Sequence, residues 1–191
     1  FQLEKAKENI KNAEFFLKPI FKTGFKDNFF DRVFIRSAVY EVPKDKQVAL
    51  YREIYRILKN QGEFLNWTLK LNKKNKDFFN QIVKFKDTLA GFDNLVKKRY
   101  LMEENELILD LEKVGFYEIK SMDLDIFYKI STKRWCEIDF KGDKQKLEKY
   151  NQYLRGVITK NRPKGIEISD LGDDIQIKVP ALITVARKVL K

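Results

Sequence analysis

The sequence predicts an α/β fold built from strand–helix–strand crossovers, and three stretches carry that prediction. Residues 29–67 (FFDRVFIRSAVYEVPKDKQVALYREIYRILKNQGEFLNW) read as a buried strand, a polar loop, an amphipathic helix and a second buried strand. Residues 103–122 read as another amphipathic helix closed by Gly115 and followed by a short β-rich run. Residues 175–186 (IQIKVPALITVA) form a third β-rich run, entered through a turn at Gly172, Asp173 and Asp174. Two parallel strands joined by a helix need a crossover, which is right-handed in nearly all proteins.

Each element has its own local cause. The opening residues, FQLEKAKENIKNAEF, carry Leu3, Ala6, Ile10 and Ala13 on one helical face, with no N-cap in front of them. Residues 30–35 are apolar and rich in β-formers, interrupted by Asp31 and Arg32. Pro43 breaks the chain before a helix that aligns Val48, Tyr51, Ile54, Tyr55 and Leu58. Asn60 and Gly62 are expected to stop that helix, and residues 63–71 to return to the sheet. The string DFFNQIVKFKDTLAGF (77–92) is helical in pattern. Leu107, Leu111 and Val114 give the helix over 103–114 its inward face, and 116–122 follow as a strand. Residues 127–140 (FYKISTKRWCEIDF) read as extended, and Leu147, Tyr150, Leu154 and Val157 mark one more helix.

Composition sets the outer limits. A chain of 191 residues suits one domain with a sizeable core, so residues 1–191 are expected to form a single unit. No apolar run reaches membrane-spanning length and no signal peptide is visible, so a soluble, cytoplasmic protein without membrane contact is expected. The single cysteine, Cys136, excludes an internal disulfide framework and any cysteine-cluster metal site. The absence of histidine removes His-based zinc sites and Ser-His or Cys-His nucleophilic catalysis. The net charge of +11 comes mainly from lysines scattered among Asn, Ile, Phe and Tyr. Runs such as KLNKKNK (70–76) read as solvated faces, so a nucleic-acid partner is not favoured.

The ordered set FDRV, SAVYEVP and EIYRILKNQGEFL resembles the second half of the class I S-adenosylmethionine-dependent methyltransferase fold, in its type 11 form. In that family an acidic residue opens the fourth strand, where Asp31 stands. The helix ends in an Arg-hydrophobic-Leu-Lys-x-x-Gly signature, matched by Arg56, Ile57, Leu58, Lys59 and Gly62. GFYEIK resembles the sixth strand, and residues 175–186 resemble the last strand, which inserts antiparallel between its neighbours. The resemblance covers residues 1–123 and 164–189. It implies a Rossmann-like, mostly parallel sheet with a last antiparallel strand. It also implies insertions after the fifth and sixth strands, at 72–101 and 123–165, that overhang the acceptor as a lid.

The function implied is methyl transfer from S-adenosylmethionine to an acceptor, a small molecule in the first reading. An RNA-modifying methyltransferase and a non-catalytic binding protein of this fold are the alternatives. The loop after the fourth strand lies beside cofactor and acceptor in the family, which assigns Arg36 and Ser37 to the cofactor and Tyr40 to the acceptor. Phe21 stands where the adenine ring would pack. Trp67, Tyr128, Arg134 and Trp135 are the other candidate acceptor contacts. No catalytic residue is assigned, although Glu41 is placed to act as a base. One family feature is absent: the eight glycines never form the phosphate-cradle type of loop that grips the cofactor. The helix at 1–15 resembles the one that follows the family's second strand, and residues 14–19 would be its third. The expectation is therefore that the native protein carries two further strands and the glycine loop upstream.

Overall fold

The computed structural model describes residues 2–189, the side chain of Gln2 excepted. Phe1, the first residue of the expected opening helix, and the last two residues of the expected single unit, 190 and 191, lie outside that range. The sheet is organised on one long strand. The strands are β1 (Phe30–Arg36), β2 (Leu58–Leu69), β3 (Phe116–Met122), β4 (Phe127–Ser131), β5 (Glu167–Asp170) and β6 (Ile175–Lys188). β1 and β2 pair in parallel, and β6 runs antiparallel to β2, β3, β4 and β5. The first five strands therefore share one direction and the last opposes them, as the sequence predicts. The carboxyl-terminal half of β6 fits between β2 and β3, while its first half is flanked by β4 and β5.

Two cores lie along β6. α2 (Lys44–Ile57) and α5 (Glu104–Val114) cover one, where Leu50, Tyr51 and Ile54 meet Phe64, Leu107 and Leu111. The other is closed by α3 (Lys73–Ala90), α6 (Thr132–Ile138) and α7 (Lys144–Lys160), around Phe79, Ile82, Tyr150, Leu154 and Ile177. The remaining helices are α1 (Gln2–Asn9) and α4 (Asp93–Lys98). Each core buries several large apolar side chains, the dominant stabilising term in such packing.

Several expectations shift. α2 ends at Ile57, before Asn60 and Gly62, and Leu58 belongs to β2. Its buried face is Gln47, Leu50, Tyr51, Glu53, Ile54 and Ile57, with Val48 half-buried. Asn60 and Gly62 lie in an irregular stretch where β2 bulges between the partners of Phe30 and Arg32. Gln61 there has a φ of 61°, and a Cβ on Gly62 would sit 2.8 Å from the Lys59 carbonyl oxygen. Gly62 is thus required by close backbone approach, not by helix termination.

Residues 14–19 form no strand. In doubly wound sheets the third strand pairs with the second and not with the fourth, and no strand that could serve as that second one is present among the described residues. The opening helix stops at Asn9, leaving Ile10 half exposed and Ala13 exposed. The stretch 127–140 is extended only as far as Ser131. There the Ser131 hydroxyl accepts the Arg134 N–H (3.1 Å), caps α6 and turns the chain helical. Among the described residues, no helix is long and apolar enough to cross a membrane.

Candidate functional site

In open α/β sheets ligands gather beyond the carboxyl ends of the parallel strands. Here the chain leaves the end of β1 at Arg36 and turns sharply at Ser37, a non-glycine residue with a φ of 52°. Backbone in this sparsely populated region is held by its surroundings. The Ser37 N–H donates to the Trp67 carbonyl at 2.8 Å. The Ser37 hydroxyl meets the Tyr128 hydroxyl at 2.7 Å, and Tyr128 donates to the same Trp67 carbonyl at 3.3 Å. The Arg36 guanidinium lies over the Trp67 ring, 4.6 Å from its centroid. Trp67 and Tyr128 rings approach at 6.3 Å. Three segments distant in sequence, the ends of β1 and β2 and the start of β4, are thereby fixed together.

A cavity of about 340 Å³ opens beside this cluster. Ser37, Tyr40, Tyr128 and Trp135 line it, so four of the residues expected from sequence share one wall. Burial pushes the Tyr40 phenol above its ordinary range. Trp67 supports the Ser37–Tyr128 contact from behind the lining. Arg36 is stacked on Trp67, and Arg134 is exposed on α6; neither lines the cavity. Phe21 lies on a different stretch, where the Thr23 N–H donates to Glu53 of α2 at 2.7 Å, and is absent from the cavity lining.

Most of the rest of the lining comes from residues 72–101 and 123–165, with Glu41 and Leu69 beside them. α3 supplies Phe79, Val83 and Lys86, the segment after α4 supplies Arg99 and Leu101, and the end of α6 supplies Ile138 and Asp139. These charges form a linked set that the sequence did not reveal. Lys86 Nζ lies 2.9 Å from Asp87 and 2.5 Å from Asp139. Arg99 bonds Asp87 at 2.8 Å and reaches Glu41 at 3.4 Å. Lys86 and Asp87 are buried, an arrangement that survives only with opposite charges in contact. The signal available in sequence was an amphipathic helix carrying a Lys-Asp pair, which reads by default as solvated.

Known proteins share this arrangement of elements. Residues 2–66 match the family model described as "Methyltransferase domain", a span that includes β1, α2 and the Arg56–Gly62 signature. A candidate methyltransferase from Bacillus halodurans superposes with a TM-score of 0.70 at 16% identity, covering 96% of this chain and 75% of that one. The YcgJ protein of Bacillus subtilis gives 0.70 at 16% identity, covering 98% and 76%. The chain has the class I methyltransferase fold. A third structure, the 4+2 cyclase SpnF, superposes with a TM-score of 0.54 at 17% identity over 98% of this chain and 61% of its own. No curated protein gives a significant sequence match. Within this methyltransferase fold, the cavity lies where the loop after β1 meets the segments that follow β2 and β3.

Proposed function

We propose that this protein transfers a methyl group from S-adenosylmethionine to a small-molecule acceptor bound in the cavity beside Ser37. The observation that carries this reading is the convergence of Ser37, Tyr40, Tyr128 and Trp135 on one cavity at the carboxyl end of β1. The methyltransferase-domain match over residues 2–66 supports the reaction class. When bound, the donor supplies an electrophilic methyl group on a sulfonium, so the protein's task is to align the acceptor and exclude water.

The residues present fit one side of that donor. Arg36 and the strained Ser37 turn stand at the end of β1, next to a strand edge with no partner among the described residues. A glycine-rich cradle is not among the described residues. Tyr40, Tyr128 and Trp135 shape the acceptor wall, and Trp67 holds Tyr128 and the Ser37 backbone in register. Arg134 and Phe21 keep no role at this cavity in the reading.

The small-molecule reading is favoured over an RNA substrate by the cavity itself. Its two cations, Lys86 and Arg99, are tied to carboxylates and do not form a free basic mouth. The test is calorimetric titration of S-adenosylhomocysteine into protein carrying its native N-terminus. Micromolar binding is expected. A folded protein that shows no binding would favour a cofactor-free binding role, a role open to this fold because fold does not fix chemistry.

A further inference from the structure

The cavity combines an apolar floor with a surplus of negative charge. Leu69, Phe79, Val83, Leu101 and Ile130 make the floor, which suits a ligand with an apolar body. Four charged side chains line the space: Glu41, Lys86, Arg99 and Asp139. Asp87 lies behind them with 1% of its side chain exposed, shared by Lys86 and Arg99. Three carboxylates therefore face two cations, and one negative charge is left over.

The contacts show where that charge resides. Asp87 and Asp139 are held at 2.5–2.9 Å, whereas Glu41 reaches Arg99 at 3.4 Å and keeps 51% of its side chain exposed. Glu41 is the least committed carboxylate, and it adjoins Tyr40 in the turn Val39–Glu41. Tyr40, Tyr128 and Trp135 complete the wall. Arg99 already lies over the Tyr40 ring at 5.6 Å and Lys86 over the Trp135 ring at 5.4 Å, so Glu41 is the wall's available attractor for a cation. A loosely tied carboxylate attracts cations and repels anions.

We propose that the acceptor is an amine with an apolar body, its ammonium drawn to Glu41 and its body seated on the floor. This assignment rests on the methyl-transfer reading above. An aliphatic amine is protonated at neutral pH and must release one proton to solvent before it can act as a nucleophile. The amine nitrogen's lone pair then forms the N–C bond to the donor methyl as the C–S bond breaks. That bond's electron pair stays on sulfur, giving an N-methylammonium and a neutral thioether.

The test is a direct binding measurement without donor, following tryptophan fluorescence and calorimetry, with phenethylamine, 2-phenylethanol and 3-phenylpropionate as shape-matched probes. Phenethylamine is expected to bind about tenfold more tightly than either other probe. Glu41→Gln is expected to erase about that tenfold preference while leaving Tm and 2-phenylethanol binding unchanged. Equal binding of all three probes, tighter binding of the carboxylate, or an unchanged preference in Glu41→Gln would overturn the amine assignment. The two readings fail separately. Binding of S-adenosylhomocysteine without amine preference removes the amine class alone. Amine preference in a protein that binds no S-adenosylhomocysteine removes methyl transfer and leaves an amine-binding pocket.

Discussion

Glu53 shows how one side chain fixes a loop that has no secondary structure of its own. Its carboxylate accepts the Thr23 N–H and hydroxyl, both at 2.7 Å, and the Arg56 guanidinium at 2.7 and 2.9 Å. Arg56 reaches on to the Phe25 carbonyl at 2.8 Å, so residues 23–25 are tied to α2. The adjacent Arg56 holds the Glu53 carboxyl down to about 2; burial opposes it and Thr23 assists. A depressed carboxyl stabilises fully above its ordinary value of 4.5, and that stability is lost as pH falls toward 2. Acid unfolding followed by circular dichroism should therefore show a progressive loss across that window. Glu53→Gln should flatten the loss and cost about 1.5–3 kcal/mol at neutral pH. An unchanged acid profile in the variant would contradict the assignment.

At the level of elements, two glycines of similar sequence appearance have opposite roles. Gly62 sits in the β2 bulge, where a Cβ would meet the Lys59 carbonyl at 2.8 Å and the Asp31 carbonyl at 3.1 Å. Both obstacles are backbone and cannot swing away. Gly156 lies inside α7, and a Cβ there would meet nothing within 4 Å. Gly62→Ala should destabilise by about 1–3 kcal/mol, and Gly156→Ala should stabilise by about 0.5–1 kcal/mol, in urea unfolding. The same contrast explains what could be read in advance. The strand at 116–122 was legible to the residue because Gly115, at a φ of 105°, ends α5 and a β-rich run follows at once. The end of α2 was not, because β2 begins directly after Ile57 and the bulge residues Asn60 and Gly62 imitate a helix stop. α6 was hidden because FYKISTKRW is rich in β-formers, and the Ser131 cap alone signals the change.

Across the whole molecule, β6 is the spine that sets both cores and brings the site together. Its pairing with β2 on one side and β3 and β4 on the other carries Trp67 and Tyr128 to the turn after β1. The aromatic part of the site was legible because Tyr40, Tyr128 and Trp135 follow strand ends or fall within an insertion. The charged part was not. Lys86, Asp87, Arg99 and Asp139 face each other only after α3 and α6 pack across the cavity. The sheet also shows an unfinished side: Val33 and Ile35 pack into the core, while Phe34, on the opposite face of β1, is 56% exposed beside an edge with no partner among the described residues. Such an edge is a template for pairing. The proposed donor site lies at the end of β1, against the Ser37 turn. Hydrogen exchange of the full-length protein, with and without S-adenosylhomocysteine, tests this placement. Ligand-dependent protection of the amides at 36–41 is expected; binding that leaves those amides unprotected would contradict a donor site at the Ser37 turn.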